Sequence, residues 1–76
     1  MEYIVECYRK GIERYYQVAV GHYSDINEAI RVYNDSIAVG FDKVILIAYT
    51  RDLQEIGNGV ITKRLPKTII AYNVTK

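Results

Sequence analysis

The chain has 76 residues, half of them hydrophobic and a quarter charged, with a formal net charge of +1. That is a globular balance with room for one small domain over residues 1–76, and it excludes a strong overall pull toward DNA, an anionic membrane or a polyanion mimic. Cys7 and His22 are the sole cysteine and histidine, so no internal disulfide can form and neither a metal clip nor another cofactor is expected.

Met1-Glu2-Tyr3 lacks a basic leader and an apolar h-region. The longest wholly apolar run, Val44 to Tyr49, falls far short of the roughly 18 residues that span a bilayer. A cytoplasmic chain is the expectation, and a lone thiol suits a reducing compartment.

Tyr3 to Tyr8 is rich in β-formers, Arg9-Lys10-Gly11 reads as a turn in which the glycine supplies positive φ, and Tyr15 to Val20 resumes the extended pattern. Together they predict a hairpin. Ser24-Asp25-Ile26-Asn27-Glu28 predicts a helix start, with the Asp25 carboxylate accepting from the backbone three residues on and Glu28 reaching back. Ile26, Ala29, Ile30, Tyr33 and Ile37 recur at spacings of 3 and 4 as the inward stripe, and Gly40 supplies the stop.

Lys43 to Thr50 is apolar at every position from 44 to 49, so both sides of this strand should be covered, which is the signature of a central strand. Arg51-Asp52 reads as a turn, Leu53 to Ile56 as a short strand, Gly57-Asn58-Gly59 as a second turn or bulge, Val60 to Arg64 as a further strand, and Thr68 to Val74 as the last. Pro66 separates the final two because it cannot donate to a ladder. The order is given as β-β-α-β-β-β, a two-layer α+β fold with one helix on a mostly antiparallel sheet.

One helix covers one face of a sheet. Strict alternation assigns Val5, Cys7, Tyr16, Val18 and Val20 to the helix side, and leaves Ile4, Tyr8, Tyr15, Ala19 and half of residues 44–49 on the other. Open to water, that second face would expose several hundred Å² of apolar surface, a size that marks an interaction site. A homodimer through this face is the economical expectation, since a small domain without staples gains stability from association, although a curled C-terminal hairpin would cover the same surface.

Tyrosine dominates the aromatic content, with eight copies against one Phe and no Trp. Its ring buries apolar area while its hydroxyl serves water or a partner, and so suits contact surfaces. Tyr8, Tyr15, Tyr49 and Ile4 are the expected partner-binding residues, and Tyr33 is expected in the core.

Catalysis would need His22 oriented by a carboxylate, but Asp25 is taken as the helix cap. Cys7 sits at an inward position, where a thiol behaves as a small hydrophobe. A catalytic site is therefore not expected. Gly57-Asn58-Gly59 lacks the remaining glycines, lysine and following helix of a phosphate loop.

Two basic clusters flank turns: Arg9, Lys10 and Arg14 in one, Lys63, Arg64 and Lys67 in the other. With tyrosines nearby they could track phosphates and stack bases, which makes nucleic-acid binding the alternative reading; Glu13 and the low net charge count against it. Charge is uneven along the chain. Residues 25–42 hold four acidic groups against one basic, and residues 43–76 hold six basic groups against two acidic.

Tyr3-Ile4-Val5-Glu6-Cys7-Tyr8-Arg9-Lys10-Gly11, the stretch from Tyr23 to Asn34, and Gly40-Phe41-Asp42-Lys43-Val44-Ile45-Leu46 resemble small uncharacterised open reading frames of bacteriophages and prophages of Gram-positive bacteria. The segment from Arg51 to Lys76 departs from that pattern. The resemblance implies a phage accessory protein, a class that includes inhibitors of host enzymes and of anti-phage defence systems, which act by binding an as yet unidentified protein.

Overall fold

In the computed structural model the backbone is described for residues 1–49, 51–56, 59–64 and 67–75, and side chains for 1–49 and 67–75. Two strands, Glu2–Lys10 (β1) and Tyr15–Tyr23 (β2), form the expected hairpin, followed by a helix over Ile26–Val39 (α1) and a strand over Lys43–Tyr49 (β3). Arg51–Ile56 (β4) and Gly59–Arg64 (β5) come next, and Thr68–Val74 (β6) ends the chain. Each of the four segments read as strands after the helix is one here, but β4 already begins at Arg51, where a turn was expected. β2, β1, β3 and β6 lie side by side in one antiparallel sheet with α1 packed on it, while β4 and β5 pair separately. This is a two-layer α+β fold. Thr50, Gly57 and Asn58 of the expected turn, Leu65, Pro66 and Lys76 lie outside the described residues.

The helix begins where Asp25 accepts a hydrogen bond from the Asn27 backbone N–H at 3.2 Å, two residues on rather than three. It ends at Gly40, whose φ of 103° is left-handed and whose N–H donates to the Ile37 carbonyl at 3.1 Å. The buried stripe is rotated from the expected one. Ala29 is fully buried, with Val32, Tyr33, Ser36 and Ile37 beside it, whereas Ile26 and Ile30 are exposed at its margin. Ser36 is tolerated there because its hydroxyl donates to the Val32 carbonyl at 2.8 Å, one turn back. Gly11 also departs from expectation. Gly40 is the glycine with positive φ among the described residues, and Gly11 is instead needed for a close approach: its N–H donates to the Arg14 carbonyl at 2.8 Å, and a Cβ would sit 2.8 Å from that oxygen.

β3 is central, and Val44 to Tyr49 are all buried. Its even-numbered residues Val44 and Leu46 join Val5, Cys7 and Ala29 beneath the helix. Its odd-numbered residues Ile45, Ile47 and Tyr49 form a second cluster with Ile4 on the opposite face, and Tyr8 packs against it.

Both edge strands carry a bulge that breaks the alternation. Cys7 pairs with Ala19 but Tyr8 pairs with Gln17, leaving Val18 as an extra residue in β2; Leu46 pairs with Ala71 but Ile47 with Ile69, leaving Ile70 extra in β6. The first bulge corrects the predicted sidedness. Tyr16 lies opposite Arg9 on the helix side as expected, but Val20, opposite Glu6, belongs to the far face, and Ala19, opposite Cys7, belongs to the helix face.

Candidate functional site

The far face has a buried centre and exposed flanks. Ile4 and Tyr49, both expected at a contact surface, are each 2% exposed and form its floor. Tyr49 lies directly opposite Glu2 and donates its hydroxyl to the Glu2 carboxylate. Tyr8 and Tyr15 are half-buried at the other end of this face, where the Lys43 ammonium sits 5.2 Å from the first ring centroid and 5.4 Å from the second. The Tyr8 hydroxyl donates to Glu6 at 2.9 Å. Its pKa is raised above 10.0 by burial first, then by the hydrogen bond to Glu6 and by that carboxylate's charge. The four expected contact residues therefore divide into a buried pair and a pair engaged with Lys43.

Exposure concentrates instead on the flanks, above all on β6. Tyr72 is 69% and Ile69 59% exposed, and Val74 is exposed beside them. These three lie opposite Ile45, Ile47 and Lys43, which puts them on the far face. Across the sheet, Val20 is exposed on β2. The sequence predicts this strand but places the contact residues at Tyr8, Tyr15, Tyr49 and Ile4, and so does not single out Ile69 or Tyr72. The available signal was the composition of Thr68-Ile69-Ile70-Ala71-Tyr72-Asn73-Val74: β-forming, without charge, proline or glycine, so that an edge position would leave it unprotected against pairing.

Of the six basic residues, Arg9, Lys10, Arg14 and Lys67 have described side chains. Arg9 stacks over Phe41 at 4.8 Å and donates to the Gly40 carbonyl at 2.9 Å, and is thereby committed to the end of the helix. Lys10 is exposed and its backbone N–H donates to the Asp42 carboxylate at 2.8 Å; Arg14 and Lys67 are also exposed. The side chains of Lys63 and Arg64 lie outside the described residues. An open depression at the hairpin tip is lined by Gly11 to Arg14 and Tyr16, with Ile12 fully exposed within it.

Cys7 is buried under the helix, as expected, and His22 is exposed opposite Ile4. Among the described residues no three acidic, histidine or cysteine side chains group as metal ligands, and no helix is long and apolar enough to cross a membrane. None of the family models, curated proteins or solved structures compared with the chain matches it.

Proposed function

We propose that this chain is a non-enzymatic protein-interaction module that works as a homodimer and binds a further protein through the far-face flank of its sheet. The observation that carries the reading is the exposure of Ile69 and Tyr72, large apolar and aromatic side chains on an uncharged edge strand. Exposed singly, either would be unremarkable for a soluble chain. Side by side on a strand at the sheet edge, they give a partner both apolar area and a row of backbone groups. The resemblance to phage accessory proteins suits this reading, with a host or defence protein as the partner.

Arg9, one of the six cations on which nucleic-acid binding would depend, already commits its ring-stacking face to Phe41 and one N–H to the Gly40 carbonyl.

A photo-reactive phenylalanine analogue at position 72, compared with one at the exposed helix position 31, tests the reading. Adducts with another protein in host extract that form from position 72 and not from position 31 support it. Equal adducts from both positions, or none, overturn it.

A further inference from the structure

We infer that the second copy docks on β6, the two β6 strands pairing antiparallel about a twofold axis at Tyr72 to join the two four-stranded sheets into one. This deepens the proposed function, on which it rests, by naming the interface and its geometry.

The backbone supplies the first argument. β6 has a ladder with β3 on one side, and no described strand pairs with its other side. Two hydrogen bonds fix which residues point which way: the Thr75 N–H donates inward to the Asp42 carbonyl at 2.8 Å, and on β1 the Lys10 N–H donates toward the same residue's carboxylate at 2.8 Å. In an antiparallel ladder the N–H and C=O of one residue point to the same side, and successive residues alternate. Asn73 and Ala71 therefore face β3, and the N–H and C=O of Tyr72 and Val74 face outward. What satisfies such a row is another extended strand.

The side chains argue that this strand is β6 of a second copy. A twofold axis at Tyr72 sets Tyr72 against its own counterpart, Ala71 against Asn73, and Ile70 against Val74. These are aromatic, small and β-branched pairings of the kind that stabilise cross-strand contacts. No residue from 68 to 74 is charged, so self-opposition places no like charges together, and the net charge of +1 adds little repulsion between copies. A twofold axis perpendicular to the sheet keeps the far faces on one side, so the exposed Ile69, Tyr72 and Val74 of both copies form one continuous apolar band. The chain is also elongated on its own. Its extents are 50 × 30 × 16 Å and its radius of gyration is 15.0 Å, against about 11 Å for a compact chain of this length.

The test uses the purified full chain. Sedimentation velocity across a concentration series should report a monomer–dimer equilibrium, and Val74→Pro, which removes an outward N–H and leaves the inward ladder intact, should weaken it by about tenfold or more. Circular dichroism establishes that the variant is folded. If proline at 74 unfolds the chain, cysteine placement decides: Tyr72→Cys should oxidise rapidly to a covalent dimer, because facing Cα atoms of a hydrogen-bonded antiparallel pair lie about 5.5 Å apart, within disulfide reach, while Thr68→Cys, several residues from the axis, should not. A strictly monomeric wild type overturns the inference, as does a dimer indifferent to folded Val74→Pro or equal cross-linking from positions 68 and 72. A monomer whose position-72 photoprobe still captures another protein ends the self-pairing idea while leaving protein binding through this flank in place.

Discussion

The hydroxyl of Tyr49 donates to the carboxylate of Glu2, its direct partner across the β1–β3 ladder, and so ties the first residue of β1 to the last of β3. Tyr49 is one of the most deeply buried large side chains, so the bond works in a setting where water competes poorly. Tyr49→Phe keeps the ring and removes the donor; the loss should be about 1.5–3 kcal/mol, the range for hydrogen bonds to charged groups, read as a lower urea midpoint at unchanged slope.

The rotated helix stripe yields a paired test. Ala29 is fully buried against Val5, Cys7, Val44 and Leu46, whereas Ile30 is 40% exposed. Ala29→Glu should abolish cooperative folding by forcing an unpaired charge into the core. Ile30→Glu, which straightforward periodicity would rank as equally damaging, should cost about 1 kcal/mol or less. Thermal melts of the two variants followed by far-ultraviolet circular dichroism separate these outcomes.

Gly21 makes room for a ring. A Cβ at this position would lie 2.7 Å from Cζ and 2.8 Å from Cε2 of Tyr23, whose side chain packs against the helix-side core. Gly21→Ala should displace the Tyr23 ring and cost about 1–3 kcal/mol, the usual range for overpacking. A lower urea midpoint with an altered near-ultraviolet tyrosine signal would establish it; an unchanged midpoint would mean that the ring moves freely.

At Gly40 the constraint lies in the backbone. Its φ is 103°, and nothing stands within 4 Å of where a Cβ would be. Gly40→Ala should therefore destabilise by about 1 kcal/mol through conformation alone, and Gly40→Asn by less, since asparagine tolerates the left-handed region better. Equal losses for the two variants would point to some cause other than φ.

Alkaline stability should depend on Tyr8 and Tyr33. Burial raises both pKa values above 10.0, and Glu6 adds to the effect at Tyr8. Below pH 10.0 folded and unfolded chains alike keep these protons, so the contribution is fully present. As the pH climbs from there through the raised folded values, the unfolded chain ionises first and the contribution is lost. Tyr8→Phe should flatten the decline in urea midpoint above pH 10.0. The absorbance titration of Glu6→Gln should show one tyrosine ionising earlier than in the wild type.

Local pattern alone determined much of this architecture. The β-rich runs around Gly11, the Asp25 cap with the Gly40 stop, and the unbroken apolar stretch from Val44 to Tyr49 are short-range signals, and they become a hairpin, α1 and the central strand. What they could not carry is the pairing between strands. A bulge exists only relative to a partner, so the extra residues Val18 and Ile70, and with them the side on which Val20 and Tyr72 emerge, were decided when β1 and β3 set the register. Burial follows the same logic. Ile4 and Tyr49, on inner strands, are covered while Ile69 and Tyr72, of similar chemistry but on an edge strand, face water, a difference that the composition of the segments does not encode.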